Sequence, residues 1–399
     1  MHESRGYQVG LLSFVRPATL LRLASRLPTI AAKRVPRTLG IAAGGWLGTP
    51  LQAYDWLRHD QQINEVELSE DPVFIIGHWR SGTTFLHNLM SCDPQFGCLR
   101  MFEALAPDFT LSTSSWLPKV FERLVPSKRP MDNMEWPMDA PQEEEIPLAK
   151  MTPYSWYLQF LFPQQAITTF EKYVLMDGAP ARARAEFKAK YLRLLKVASL
   201  QENGRRLLLK NPVNTARIPL LLELFPNARF VFIHRSPHEV FPSTINLHRR
   251  ILELTALQDY DEDDIEHNVI EIYRRAIDRY RQDAELVPTG QLIEVGYEQL
   301  TTDPLATLES IYDSLGLGGF DQAVGPVQQH LESVDGYQRN DFEQLSDRVI
   351  ELIEREWDIG FRLWGYPKVR SSGAHPIFQR GTVPGTTPGP DQVRSEVLR

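Results

Sequence analysis

A short polar loop with residue types suited to holding an anion lies at residues 77–84, in the sequence GHWRSGTT. The candidate anion-binding residues are Arg80, Ser81, Gly82, Thr83 and Thr84. One arginine supplies positive charge, the hydroxyl groups can donate hydrogen bonds, and the glycine lets the backbone approach a ligand closely. Backbone N–H groups of such a loop and of a following helix point at one anion. The residues therefore predict a site for a phosphate or sulfate group.

The segments on either side of the loop predict the elements that hold it. Residues 73–76 are four consecutive apolar residues, which is typical of a strand buried on both faces. From Thr83 onward the apolar residues recur at helical spacing. The glycine spacing matches a Walker A loop, but a threonine stands where that loop has its lysine. This substitution counts against ATP or GTP hydrolysis, although a kinase on the same scaffold remains an alternative.

Further cations follow predicted strands in the second half of the chain. Lys210 follows a strand predicted over residues 206–209, and Arg235 comes two residues after another predicted over residues 229–233. Ser243 lies eight residues after Arg235, on a predicted helix. Strands and helices that alternate at this spacing indicate a parallel sheet with crossover helices, whose ligands bind at the carboxyl ends of the strands. The fold class is therefore α/β.

Composition excludes several classes of function. The chain has 399 residues and a net charge of -8, which gives no reason to expect nucleic acid as a partner. It has only two cysteines, Cys92 and Cys98, which cannot form a disulfide framework or a zinc site. No cluster of residues at metal-ligand spacing is visible, so we expect no metal.

The chain divides into an arm, a main domain and a tail. Residues 1–70 form a basic arm with no acidic residue between Glu3 and Asp55. We favour a helical arm packed on the main domain, although contact with a membrane surface remains an alternative. No apolar run is long enough to span a bilayer. Residues 71–370 form the main domain, in which residues 107–153 are interpreted as a lid-like insertion, and residues 371–399 are predicted to be disordered.

Four segments in order resemble the family of sulfotransferases that use 3′-phosphoadenosine 5′-phosphosulfate (PAPS). They are GHWRSGTT, FVFIHRSPHEVFPST, EVGYEQLTTDPLATLESIYDSLGL and GYQRN, and they cover roughly residues 72–366. The resemblance implies a P-loop-like three-layer fold with a mostly parallel central sheet. It also implies that the first loop binds the 5′-phosphosulfate. The residues implied for the rest of the nucleotide are Arg235, Ser243, Tyr297, Arg339 and Asn340.

The resemblance also suggests catalytic residues. Lys210 is similar in position to a lysine of tyrosylprotein sulfotransferases, and Arg80 adds charge from the loop. Glu103 is the predicted general base, by similarity to glycan and tyrosylprotein enzymes. Three other residues remain candidates for the base: Glu143, Glu145 and His78. The histidine base typical of cytosolic phenol and steroid sulfotransferases has no counterpart, which disfavours small phenolic acceptors.

The predicted function is transfer of a sulfonate group from PAPS to a hydroxyl group of a carbohydrate, a lipid or another acceptor. Arginine and lysine would provide the positive charge, so transfer needs no metal. The alternatives are a nucleotide-dependent kinase and a non-catalytic protein that binds nucleotide or membrane. The expected location is the cytoplasm, with peripheral membrane contact left open.

Overall fold

The computed structural model of the protein describes residues 12–24, 30–124, 137–334 and 345–369. The strands are β1 (Val73–Ile76), β2 (Phe96–Gly97), β3 (Arg206–Lys210), β4 (Arg229–His234) and β5 (Leu292–Gly296). The helices of the first half are α1 (Pro17–Ala24), α2 (Val35–Glu65), α3 (Thr83–Met90), α4 (Met101–Leu105), α5 (Thr110–Thr113), α6 (Leu117–Leu124), α7 (Glu145–Met151), α8 (Ala166–Tyr173) and α9 (Ala181–Gln201). The later helices are α10 (Ile218–Leu224), α11 (Pro237–Thr255), α12 (Glu262–Asp283), α13 (Tyr297–Thr302), α14 (Pro304–Leu315), α15 (Phe320–Ser333), α16 (Asp347–Glu356) and α17 (Asp358–Trp364).

Five strands form one sheet in the order β2-β3-β1-β4-β5. All four neighbouring pairs are parallel. In the register of the central pair, Phe74 lies opposite Phe230. Because all strands run the same way, their carboxyl ends meet at one edge of the sheet. The residues that follow β1, β4 and β5, together with the last residue of β3, are thereby brought to that edge.

Helices cover both faces of the sheet. Phe74 and Phe232 point into one core, which the helices α9, α11 and α12 cover. Ile75 and Val231 point into a second core, which α3, α14 and α15 cover. The alternation follows from the period of two in strands, and burial on both faces explains why β1 is apolar throughout. The predicted three-layer α/β fold is confirmed.

The N-terminal arm packs on the main domain. Arg16 forms an ion pair with Asp108 at 2.5 Å, and Arg22 forms one with Glu186 at 2.7 Å. The apolar residues Leu12, Val15 and Leu23 are buried against the cores rather than exposed. Helix α2 has 31 residues and continues through Pro50. The prolines and arginines in this part of the arm therefore do not interrupt the helix.

The segment interpreted as a lid is described in part. Residues 125–136 lie outside the described residues, so the lid and the domain boundaries stay predictions. The described part contributes α5, α6 and α7, and Phe109, Leu117 and Phe121 from it form a small apolar cluster with Phe102. Among the described residues, no helix is both long and apolar enough to cross a membrane.

Candidate functional site

The loop between β1 and α3 begins with a glycine held in a fixed conformation. Gly77 has a φ of 143°, and a Cβ atom there would collide with the carbonyl oxygen of Ile233. The N–H of Gly77 donates to Oγ1 of Thr215 at 2.8 Å, and that hydroxyl donates to the carbonyl oxygen of Gly77 at 3.0 Å. Only glycine fits this conformation and this close approach. The backbone at the start of the loop is therefore set by the strand next to it.

The end of the loop depends on a second glycine and on a tyrosine from β5. Gly82 has a φ of 106°, and a Cβ atom there would enter the ring of Tyr297, which lies directly after β5. Arg80 also has a positive φ, of 69°, which is uncommon for a residue with a side chain. The N–H of Ser81 donates to the carbonyl oxygen of His78 at 3.2 Å and closes a tight turn. The loop is thus shaped by its own sequence and by Tyr297 above it.

The loop presents unused hydrogen-bond donors. No side chain caps the N-terminus of α3, and the first N–H groups of a helix have no acceptor within the helix. The hydroxyl of Ser81 is buried and has no hydrogen-bond partner within the described ranges. A buried polar group normally has a partner. An anion such as a phosphosulfate fits this loop, because it would accept from these groups and interact favourably with the helix dipole.

A second group of cationic and hydroxyl side chains lies beside the loop. Nε of Arg80 donates to Oγ of Ser243 at 2.8 Å, which joins the loop to α11. Arg235, directly after β4, donates from Nη1 to the carbonyl oxygen of Arg80 at 3.5 Å and lies 4.3 Å above the ring of Tyr297. Its Nε also pairs with Glu239 at 2.5 Å. The structure therefore brings together Arg80, Arg235, Ser243 and Tyr297, which the sequence predicted for one nucleotide.

Lys210 places a second cation at the loop, on the side away from Arg235. It is the last residue of β3, and its Nζ lies 3.4 Å from Oγ1 of Thr84 at the start of α3. The same Nζ lies 2.5 Å from Oε1 of Glu143, and the lysine side chain is only 3% exposed. The loop lacks the lysine of a Walker A motif, but β3 supplies one beside it. The predicted proximity of Lys210 to the loop is therefore present in the structure.

Glu143 connects Lys210 to two aromatic residues. Its Oε2 accepts a hydrogen bond from the hydroxyl of Tyr157, and that hydroxyl accepts one from Nε1 of Trp79 at 3.1 Å. Burial and the charge of Glu143 raise the pKa of Tyr157 well above its usual value, so Tyr157 remains a hydrogen-bond donor. Trp79 belongs to the loop itself. A continuous chain of hydrogen bonds thus runs from the loop through Tyr157 and Glu143 to Lys210.

The backbone before Glu143 is held next to residues 99–102. Arg100 and Pro141 form an antiparallel bridge, and the N–H of Gln142 donates to the carbonyl oxygen of Leu99 at 2.8 Å. Helix α7 begins two residues after Glu143 and continues away from the bridge. These contacts fix where the acidic residues 143–145 lie, and they join segments some forty residues apart.

Glu145 has a structural environment. Its carboxylate is fully buried and lies 2.6 Å from Nη1 of Arg217. It also accepts from Nδ2 of Asn211 at 3.1 Å and from the N–H of Trp156 at 2.8 Å. Burial alone would raise the pKa of Glu145, but Arg217 and the hydrogen bonds outweigh burial and lower it. The neighbouring Glu144 accepts from Asn214 at 3.2 Å, and burial raises its pKa to about 8.

Glu103, the predicted base, lies in the first turn of α4. Its Oε2 accepts from the backbone N–H of Arg100 at 2.8 Å, which caps that helix. The side chain is buried, and burial raises the pKa of Glu103 to about 7. Among the described residues, the capping bond is the only hydrogen bond to the Glu103 carboxylate. The carboxylate has no hydrogen bond to Lys210 or to the loop.

His78, another candidate, is buried between aromatic rings. Its ring centre lies 4.9 Å from that of Tyr273 and 5.8 Å from that of Trp357. Its Nδ1 lies 2.9 Å from the carbonyl oxygen of Trp79, and burial lowers the pKa of His78 to about 3. Its contacts are therefore those of a residue packed in the core beneath the loop.

Two predicted nucleotide-binding residues, Arg339 and Asn340, lie outside the described residues. Within the described part of the chain, no group of three or more His, Cys, Asp or Glu residues could hold a metal ion. Sequence reasoning missed Trp79, Tyr157 and Glu239 as parts of the site. Trp79 lies in the loop predicted to bind an anion, so its position in the sequence could have identified it as part of the site. Tyr157 lies in an aromatic segment without clear periodicity, so the sequence alone gave no reason to place it here.

Comparison with known proteins shows to which family the chain is related. A model of the sulfotransferase family matches residues 72–322. The omega-hydroxy-beta-dihydromenaquinone-9 sulfotransferase Stf3 of Mycobacterium tuberculosis is 32% identical over 311 residues, which are 77% of this chain and 78% of the relative. The sulfotransferase of the same name from Mycobacterium bovis has the same identity and coverage.

Two solved structures are similar in fold. The sulfotransferase STF9 of Mycobacterium avium superposes with a TM-score of 0.62 at 19% identity, over 85% of this chain and 88% of that one. The sulfotransferase STF1 of Mycobacterium tuberculosis superposes with a TM-score of 0.60 at 18% identity, over 85% of this chain and 90% of that one.

Proposed function

This chain belongs to the sulfotransferase family, and we propose that it transfers the sulfonate group of PAPS to a hydroxyl group of a lipid acceptor. The observation that carries the proposal is the position of Lys210. Its Nζ lies beside Thr84 of the anion-binding loop and beside the carboxylate of Glu143. A cation to stabilise the transferring group and a carboxylate to accept a proton are thereby adjacent at the edge of one anion site.

Two separate groups of donors support PAPS as the sulfonate donor. The nucleotide carries a phosphosulfate at one end and a 3′-phosphate at the other, so it needs two anion sites. The loop with Ser81, Thr83 and Thr84 would hold the phosphosulfate. Arg235 and Ser243 would hold the 3′-phosphate, with arginine providing a bidentate contact. Tyr297, between them, is suited to contact the adenine, and the roles of Arg339 and Asn340 stay predictions.

Glu143 is the base that we propose, in place of Glu103. In the transfer, the acceptor oxygen forms a bond to sulfur while the bond from sulfur to the bridging oxygen breaks. Adenosine 3′,5′-bisphosphate leaves, and the acceptor proton passes to Oε1 of Glu143. Lys210 would turn from Glu143 toward the bridging oxygen, because the negative charge grows there. The hydrogen bond from Tyr157 to Oε2 would hold the carboxylate in position.

The acceptor class rests on the relative and on the residues beside Glu143. The relative's name gives its acceptor as an omega-hydroxy-beta-dihydromenaquinone-9, a lipid with a terminal hydroxyl group. In the present chain the side of Glu143 away from Lys210 is formed by Tyr157, which packs against Trp156 and Phe160. Aromatic rings suit an apolar acceptor body. Both observations favour a lipid alcohol over a sugar.

One experiment separates this function from its competitors. The full-length protein is incubated with radiolabelled PAPS and, in turn, an omega-hydroxylated prenyl quinol, a monosaccharide and a tyrosine-containing peptide. We expect label on the prenyl quinol alone, and none with Lys210→Met. Label only on the sugar or the peptide would overturn the lipid assignment. A parallel incubation with radiolabelled ATP tests the kinase alternative, and phosphoryl transfer there would overturn the proposed reaction.

Contact of the N-terminal arm with a membrane, and a cytoplasmic location, both stay predictions. Of the apolar residues before α2, Leu12, Val15 and Leu23 are buried, whereas Leu21 is 69% exposed. A lipid acceptor would require the enzyme to reach a membrane surface.

A further inference from the structure

The middle of helix α2 buries small and polar residues instead of a stripe of large apolar ones. Gln52 and Asp55 face the domain: Nε2 of Gln52 donates to the carbonyl oxygen of Phe14 at 2.8 Å, and Oδ1 of Asp55 accepts from the N–H of Ser112 at 2.7 Å. Gly45 lies so close to the arm that a Cβ atom there would be 2.5 Å from the carbonyl oxygen of Val15. A helix that packs on a core normally buries its apolar stripe. Over residues 45–55 the buried side is made of glycine, an amide and a carboxylate, and larger apolar residues of the helix contact the cores only beside it, at Ile41 and Leu51, and further on, at Ile63.

The opposite side of α2 is apolar and exposed. We call it the outer face, and it consists of Val35, Leu39, Ala43, Trp46, Leu47, Pro50, Ala53, Tyr54 and Leu57. The five large residues at its centre, from Leu39 to Leu57, are 54% to 77% exposed. At 3.6 residues per turn, all members fall within an arc of roughly 120° and extend over about 33 Å. Scattered exposed leucines are ordinary, but a continuous exposed stripe indicates an interaction surface.

Charges are placed at the ends of the outer face and not on it. Between residues 30 and 59 the only carboxylate is Asp55, which is buried. Lys33, which pairs with Asp259 at 2.5 Å, and Arg34 precede the helix, and Arg58 is exposed directly after Leu57. Beyond Arg58 the helix becomes polar. The protein as a whole has a net charge of -8, so this positively charged, apolar strip differs from the rest of the chain.

We propose that the outer face of α2 docks the protein on an anionic lipid surface, with the helix lying in the plane of the interface. An apolar face with tryptophan and tyrosine, bounded by lysine and arginine, has the composition of an interfacial helix. The basic residues at its ends complement negatively charged headgroups. The proposal goes beyond the proposed reaction, since docking is measured without turnover.

A second copy of the chain is the other occupant to consider. One helix face of about 33 Å by 10 Å offers a footprint of about 330 Å². A stable protein interface buries about 800 Å² on each partner. The outer face alone is therefore too small for a stable dimer, whereas an interfacial helix needs only its own apolar side. Area and charge together favour lipid.

Flotation of the full-length protein with vesicles tests the proposal. One vesicle type is made of phosphatidylglycerol and phosphatidylcholine, and the other of phosphatidylcholine alone. The test variant is Leu47→Glu/Leu57→Glu, whose positions are 77% and 76% exposed, so the fold should tolerate both changes. The matched control is Leu286→Glu, an exposed leucine that lies outside the outer face.

We expect the wild type and Leu286→Glu to float with the anionic vesicles. The double variant should bind them at least about tenfold more weakly, because two leucines can no longer be buried. Binding to phosphatidylcholine alone should be weaker for every protein. Equal flotation of wild type and double variant, or no flotation of the wild type, would overturn the proposal. Sedimentation velocity would then show whether the double variant dissociates a dimer, which is the alternative occupant.

Discussion

The strand-end side of the donor site and the acidic residues 143–145 touch each other but are positioned in different ways. On the strand-end side, Lys210, Arg235 and Tyr297 each end or directly follow a strand, and Arg80 lies in the loop after β1. Their places follow from local sequence, because parallel strands end at one edge. The carboxylates of the three glutamates are held by partners from 10 to 72 residues away in sequence.

The acidic side shows that one residue type can have three roles in three consecutive positions. Glu143 contacts Lys210 at the loop, Glu144 bonds Asn214, and Glu145 pairs with Arg217 in the core. The residue that each carboxylate contacts determines whether that carboxylate can take part in a reaction or instead stabilises the core. Sequence motifs alone can therefore predict the residues of the strand-end side, whereas roles on the acidic side can be assigned only from the contacts in the structure.

The largest effect is expected at the point where the two sides meet. Glu143→Gln keeps the shape and the hydrogen bonds of the side chain but removes its basicity. We expect kcat to fall by about 10²- to 10⁴-fold with donor affinity little changed. Steady-state rates and calorimetry with adenosine 3′,5′-bisphosphate measure the two quantities. Near-normal turnover of this variant, with a loss in Glu103→Gln, would return the role of base to Glu103.

A stability effect should appear two residues further on. Glu145→Gln leaves Arg217 buried without a counter-ion, which costs about 3–5 kcal/mol of the free energy of unfolding. The comparison variant is Glu223→Gln, since Glu223 pairs with Arg184 and Lys188 on the surface and should lose less than about 1 kcal/mol. Urea unfolding measures both. A stable Glu145→Gln that has lost turnover would mean that the buried carboxylate takes part in the reaction.

The strand-end side should respond in affinity rather than stability. Arg235→Ala removes a charge-assisted contact to the 3′-phosphate, worth about 1.5–3 kcal/mol of binding free energy. In the structure Arg235 pairs with Glu239, which competes with the phosphate. Glu239→Gln should therefore bind adenosine 3′,5′-bisphosphate more tightly than the wild type. Calorimetry on both variants is the test, and unchanged affinity in both would remove Arg235 from the site.

Glu103 should affect the pH dependence of stability. Burial raises its pKa from the usual 4.5 to about 7 in the folded protein. A carboxyl with a raised folded pKa contributes most stability below its unfolded pKa, and that contribution is lost as pH rises through the folded pKa. Glu103→Gln should thus flatten the decline in unfolding free energy between pH 4.5 and 7. An unchanged slope in urea titrations would show that Glu103 is not buried in this way.

The smallest expected effect is that of metal removal. Positive charge in the site comes from Arg80, Lys210 and Arg235, so a chelator should leave the transfer rate unchanged. The rate with and without chelator is compared at saturating PAPS. Loss of activity with recovery on adding magnesium would favour the kinase alternative.

The sequence was sufficient for the three central strands of the sheet and for the residues at their ends. The strand predicted over residues 206–209 spans Arg206–Lys210, and that predicted over residues 229–233 spans Arg229–His234. Both are apolar runs that end at polar residues, and this local pattern was enough to predict a strand at each place. The two-residue strand β2 was missed because Phe96 and Gly97 carry no periodic signal.

The choice of base depended on contacts that the sequence does not encode locally. The resemblance to glycan and tyrosylprotein sulfotransferases favoured Glu103, yet that carboxylate caps α4. Glu143 reaches Lys210 because residues 140–142 pair with residues 99–102. No periodicity in the sequence predicts this pairing. The exposed apolar face of α2 in the arm was likewise not predicted, because it can be identified only when the buried side of the helix is known.

The indole of Trp79 gives the loop between β1 and α3 a built-in optical reporter. It donates to Tyr157 and lies 4.9 Å from the ring of Trp156, so its emission depends on the bond that links it to Glu143 and Lys210. A ligand that draws Lys210 away from Glu143 would change that emission. The difference in fluorescence between the wild type and Trp79→Phe can therefore follow nucleotide binding in real time, with no label on the nucleotide.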